Sequence, residues 1–193
     1  MRRATALAAG LLAMLAGCGG RDRSELDLAA LAKQPGTEVI RRSEGGKEIV
    51  EIRRGGVVIT RQRGVTIAAV DHSGHGAVLC AWRIYVDTLA ALEVCQPDTH
   101  AALRQDLLQA TEAIADFIVA NSLTPVKKAD LEAYVATRRA ETRAQSNAAG
   151  KACSPEFIEQ SLPKLEAVPH DERQAQTADM LSVPRPPVMD PCL

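Results

Sequence analysis

The spacing of apolar positions changes sharply along this chain. Between residues 37 and 70, Val and Ile alternate with charged side chains: Val50 and Ile52 share a face, as do Val57 and Ile59, and Val65 and Ile67. Glycine-bearing turns separate the runs at Glu44-Gly45-Gly46-Lys47, Arg53-Arg54-Gly55-Gly56 and Gln62-Arg63-Gly64. A period of two belongs to half-buried strands, and glycine supplies the positive φ that tight hairpins require. The pattern predicts antiparallel strands over 38–42, 47–53, 57–61 and 65–70. Such a one-sided meander needs an apolar partner.

After the loop Asp71-His72-Ser73-Gly74-His75-Gly76 the steps lengthen to three and four. Over 77–95, Val78, Leu79, Trp82, Tyr85, Val86, Leu89 and Leu92 recur at helical spacing, and Ile84 and Val94 add apolar surface elsewhere. A helix apolar over most of its circumference is central, so the meander is expected to rest on it. A second helix follows over 100 to about 121, with the stripe Leu103, Leu107, Ala110, Ile114, Phe117 and Ile118 and a cap at Asp98 or Thr99. Thr124-Pro125 opens a third, running to about 148 with the thinner stripe Leu131, Tyr134 and Val135. Shorter helices are predicted over 25–33, capped by Ser24, and from Ser154-Pro155 to about 162. Beyond Pro169 the pattern reads as loop, and 184–191 as an extended Pro-rich linker. The fold class is α+β: a small antiparallel β-meander (37–70) followed by a disulfide-stapled three-helix bundle within 77–162.

The N-terminus carries a different signal. Arg2 and Arg3 precede an uncharged apolar run over 4–17, shorter than the about 20 residues of a membrane span. It ends in Leu15-Ala16-Gly17-Cys18, and this stretch resembles the bacterial lipoprotein signal peptide with its lipobox. The resemblance implies cleavage before Cys18, a diacylglyceryl group on the Cys18 thiol and acylation of the new amino group. Residues 1–17 are then the signal peptide, 18–24 the lipidated cysteine and a short tether, and 25–193 one globular domain. Gly19, in place of the Asp that marks inner-membrane retention in that class, implies an outer-membrane, periplasm-facing address. More than one acyl chain makes such anchoring stable.

Five cysteines thereby become one anchor and an even set of four. Exported chains favour disulfides. On one helix Cys80 and Cys95 stand about 22 Å apart, far beyond the about 7 Å that a disulfide tolerates. Three antiparallel helices bring Cys153 back to the level of Cys95, which predicts Cys95–Cys153 and leaves Cys80–Cys192. No Cys-x-x-Cys is present, so these cysteines are structural.

Composition narrows the function classes. The 193 residues carry 23 basic and 24 acidic side chains, a net charge of −1. Removal of residues 1–17 shifts this only slightly towards the acidic side. Nucleic-acid partners, which meet basic surfaces, are not expected. Aromatic residues make up only 3%, too few to line an extensive stacking groove. Nucleophile-elbow, zincin, Walker and dinucleotide motifs are missing from the sequence. The basic run from Lys127 to Arg143 is interleaved with Asp130, Glu132 and Glu141, the pattern of a solvated helix face.

One polar constellation remains, Asp71-His72-x-x-His75. Two imidazoles and a carboxylate on a glycine-rich loop suit a borderline metal such as zinc, copper or nickel. The alternative is a polar strand-to-helix connection. The expected function is a membrane-anchored envelope lipoprotein acting as a non-enzymatic interaction or assembly module with an envelope protein partner. It needs no cofactor beyond the lipid on Cys18. The alternative is an envelope metal-binding protein using Asp71, His72 and His75.

Overall fold

The computed structural model describes residues 26–96, 98–149 and 162–192. The signal peptide, Cys18 and Cys153 lie outside them. The first helix is a single turn, α1 (Leu28–Leu31), capped by Asp27, whose Oδ1 accepts from the N–H groups of Ala29 and Ala30 at 3.1 and 2.9 Å. The cap is therefore Asp27, not Ser24, because an Asx side chain here reaches two orphan donors at once.

Four strands follow as β1 (Thr37–Glu44), β2 (Lys47–Arg54), β3 (Val57–Gln62) and β4 (Val65–Asp71). They form one antiparallel sheet in the order β1-β2-β3-β4, with Val39 opposite Ile52 and Ile52 opposite Ile59. The alternation holds through β3, where Val57, Ile59 and Arg61 are buried and the residues between them half-buried.

The helical part comprises α2 (Val78–Cys95), α3 (Ala101–Asn121), α4 (Lys128–Ala149), α5 (Leu162–Ala167) and α6 (His170–Met180). The described residues thus hold six helices, not a bundle of three. Residues 170–180, expected as loop, form α6, which packs on α3. The start of α3 also departs from expectation. His100, at φ 57°, is its N-cap, and the Thr99 hydroxyl instead donates back to the Gln96 carbonyl at 3.4 Å. The expected helix from Ser154 falls on residues that are not described.

The sheet does not rest on α2. Its apolar face, Val50, Ile52, Val57 and Ile59, is closed by Leu31 of α1 and by Val188 from the C-terminal tail, with Leu26 and Leu123 alongside. A separate core lies between α2, α3 and α6, formed by Val78, Trp82, Val86, Ile114, Phe117, Ile118 and Met180. A third cluster joins Leu89 and Leu92 to Leu103, Leu107 and Leu162.

The tail joins the two halves. Residues 184–191 are extended, as their prolines dictate, but Arg185, Pro186 and Val188 within them are buried. Asp190 forms a parallel bridge with Val70, and the Asp71 N–H donates to the Asp190 carbonyl at 2.7 Å. On the other side the Leu79 N–H donates to the Val188 carbonyl at 3.0 Å. α2 has no side-chain cap, so a tail carbonyl satisfies one of its orphan first-turn donors. Cys80 and Cys192 are disulfide-bonded, with Cα atoms 5.3 Å apart. The segment read as a linker is a wedge between sheet and helices.

Candidate functional site

The polar centre of the molecule lies where β4 ends and α2 begins. Asp71 closes β4, and its side chain is 1% exposed. Its Oδ1 accepts from the Ser73 N–H at 2.7 Å, an Asx turn that starts the loop. Its Oδ2 accepts from Arg185 Nε at 2.8 Å. The Arg185 guanidinium also donates to the carbonyls of Met180 (2.8 Å), Val183 (3.0 Å) and Gly76 (2.8 Å), and it lies 5.8 Å from the centre of the Phe117 ring. A buried arginine is tolerated when its donors and charge are met in this way. Burial alone would raise the Asp71 carboxyl, but the Ser73 and Arg185 hydrogen bonds prevail and hold it below the usual carboxylate range.

The β2–β3 hairpin is pressed into the same place. A Cβ on Gly55 would lie 2.7 Å from Arg185 Cβ and from the Pro184 carbonyl, and one on Gly56 would lie 2.6 Å from Ser73 Cα. Both glycines also have positive φ, at 56° and 83°. The turn needs glycine for its own geometry and again for what packs against it.

The structure does not assemble Asp71, His72 and His75 around a common point. Asp71 turns inward to Arg185. His72 is exposed, and its backbone N–H donates to the Gly56 carbonyl at 2.9 Å. His75 Nδ1 lies 3.1 Å from Asp179 Oδ2 on α6. Among the described residues no group of three or more His, Cys, Asp or Glu side chains is placed to hold a metal ion.

A second buried carboxylate has no counterpart in the sequence reading. Asp106 on α3 is 6% exposed at its side chain and accepts from Arg173 Nε at 2.9 Å, with His170 Nδ1 2.6 Å from its other oxygen. Burial again opposes ionisation, and the bonds from Arg173 and His170 win, leaving the carboxyl below its ordinary range. The available signal was an acid at a stripe position, three residues after Leu103 and one before Leu107. Asp71 and Asp106, each held ionised by an arginine, are weak bases and suit structural pairing better than proton transfer.

Two openings flank these pairs. One, of about 300 Å³, lies between α3 and α6 and is lined by Tyr85, Leu103, Leu107, Asp106, Arg173 and Leu181. The other, of about 440 Å³, lies at the seam of sheet and tail, where Leu26, Ile59, Ala69, Leu79, Leu123 and Val188 meet. Cys95 is disulfide-bonded, while its expected partner Cys153 lies outside the described residues. No helix among the described residues is long and apolar enough to cross a membrane. No family model, curated protein or solved structure matches the chain.

Proposed function

We propose that this protein is a membrane-anchored envelope lipoprotein, held by lipid on Cys18, and that it works as a non-enzymatic interaction module. The observation that carries this reading is the place of Leu26. It lines the groove at the seam of sheet and tail, and it is only the eighth residue after Cys18. A tether of that length reaches at most about 29 Å. It would therefore keep the seam within that distance of the membrane and whatever is assembled there. Ile67 on the outermost strand is 58% exposed and Met189 on the tail 37%. They supply apolar surface beside the groove, the kind a partner covers.

The same reading assigns the second disulfide. With Cys80 and Cys192 joined and Cys95 also bonded, the remaining cysteines are Cys18 and Cys153. Lipid on Cys18 leaves Cys153 for Cys95.

Two measurements test this. Cells producing the protein are labelled with palmitate, and the purified protein is mapped without reduction; label lost in Cys18→Ser together with a Cys95–Cys153 peptide is the expected result. A Cys18–Cys95 peptide would end the anchor and the disulfide assignment together. A photo-crosslinker at Ile67 should give a discrete adduct that disappears in Cys18→Ser. An equal adduct from exposed Ile84 on α2 would remove the claim for the seam.

A further inference from the structure

α3 and α4 both pack on α2 but scarcely on each other. Between them opens a cleft of about 370 Å³, floored by Trp82 and Leu89 of α2. Leu108, Leu131 and Val135 make its walls apolar, and Leu108 is left 39% exposed beside it.

Its polar groups are notable for their grouping at one site. Among the described residues Trp82 Nε1, Thr111 Oγ1 and Arg139 Nε are buried without a hydrogen-bonding partner, and all three residues line this one cleft. Trp82 is 6% exposed and Thr111 9%, so bulk water does not reach them freely. A buried donor left unmade is costly, and native interiors rarely tolerate one. A hydroxyl can rotate to the carbonyl one turn back in its own helix, but an indole N–H has no such choice. Three orphans lining one apolar cleft mark a place for a ligand.

The chemistry of that ligand follows from the donors. Indole and guanidinium nitrogens donate and do not accept, so the ligand must offer acceptor oxygen. The lining has no spare positive charge. Lys128 Nζ is 2.7 Å from Asp116 and 3.6 Å from Glu112, Arg139 Nη2 is 2.9 Å from Glu93, and Glu132 also borders the cleft. A carboxylate would meet this acidic lining, whereas a neutral carbonyl would not. We propose that the α3–α4 cleft binds a small molecule with an aliphatic body and a neutral carbonyl head, such as an ester, received by Trp82, Thr111 and Arg139. A volume of about 370 Å³ falls at the lower end of small-ligand sites. This inference stands apart from the anchor and the seam.

Trp82 is the only tryptophan, so its fluorescence reports on the cleft directly. The purified, disulfide-bonded protein is titrated with methyl octanoate, octanoate and octylammonium. Methyl octanoate should give a saturable change, with octanoate and octylammonium at least about tenfold weaker. Thr111→Val keeps the volume and removes the hydroxyl; it should weaken methyl octanoate binding about two- to tenfold, the range of one hydrogen bond. Its ligand-free melting temperature should be unchanged or raised, because an orphan is gone. Ala136→Phe, at an exposed position lining the cleft, should abolish the fluorescence response. No saturable response, equal affinity for the three probes, tighter binding of octanoate, or undiminished affinity in Thr111→Val would each overturn the proposal. A Thr111→Val protein that melts lower would do the same, since it would show that the hydroxyl is already satisfied.

Discussion

The Arg185 site, where the tail meets β4 and α2, and the cleft between α3 and α4 treat buried polar groups in opposite ways. At the first, the Arg185 guanidinium makes four hydrogen bonds, one of them to Asp71, and is wholly enclosed. In the cleft three polar atoms are enclosed with no partner. A satisfied network fixes one arrangement of the chain, whereas an unsatisfied one raises the energy of the empty site and rewards an occupant. One region holds the fold together, and the other is the place to look for binding.

The contrast is most severely tested by cutting the tail's covalent link. Cys80→Ser with Cys192→Ser opens a loop whose ends are 112 residues apart, worth about 5 kcal/mol in the chain-entropy model. The fall should appear in the urea midpoint, and the Trp82 response of the cleft should persist wherever the protein stays folded. Arg185→Met should cost about 3 kcal/mol or more, because it strands a buried Asp71 carboxylate. Adding Asp71→Asn should restore part of that loss; a double variant no better than the single one would show that Arg185 acts only through its carbonyl contacts.

Gly56→Ala ranks next, at about 2 kcal/mol, from a positive φ and a Cβ pressed on Ser73 backbone. Gly74→Ala, at φ 85° but with open space around it, should cost less, and thermal melts of the pair separate packing from backbone strain. The mildest effect is that of pH. Asp71 and Asp106 are both held below the ordinary carboxylate range, so their stabilisation is full above about pH 4, the unfolded value. It is lost as pH falls through their lower folded values. Urea midpoints should be flat in these groups from pH 5 to 8 and decline below pH 4. A decline that survives in Asp71→Asn with Asp106→Asn would assign it to other carboxylates.

The sheet was legible because its evidence is local. Glycine turns at fixed spacing and paired β-branched residues set strand identity and hairpin order without reference to the rest of the chain. The long helices α2 and α3 were legible through their stripes. What covers the sheet was not legible, since Val188 closes its core from more than 100 residues away. α6 was hidden for another reason. Its sequence from His170 to Met180 has almost no apolar face, and Met180 is its one buried residue. The helix is held by Arg173 on Asp106 and by acids in its first turn, interactions that hydropathy does not register. Asp71 stands out in the sequence as a candidate metal ligand beside His72 and His75, but its contact with Arg185 was not legible, because Arg185 reads in sequence as one cation among prolines. The orphan donors of the cleft could not be found from sequence at all, since being unpartnered is a property of surroundings.

The seam also imposes an order on assembly. Residues 37–71 can pair and residues 78–121 can coil from neighbouring sequence alone, but the sheet's core is not closed until Val188 arrives, and the helical core not until Met180 does. A nascent chain lacking residues 183–192 would carry the apolar face of Val50, Ile52, Val57 and Ile59 uncovered and the Cys80 thiol unmatched. The sheet then waits for residues 183–192 to be made, and a chaperone or oxidant acting on this protein has that interval in which to find it.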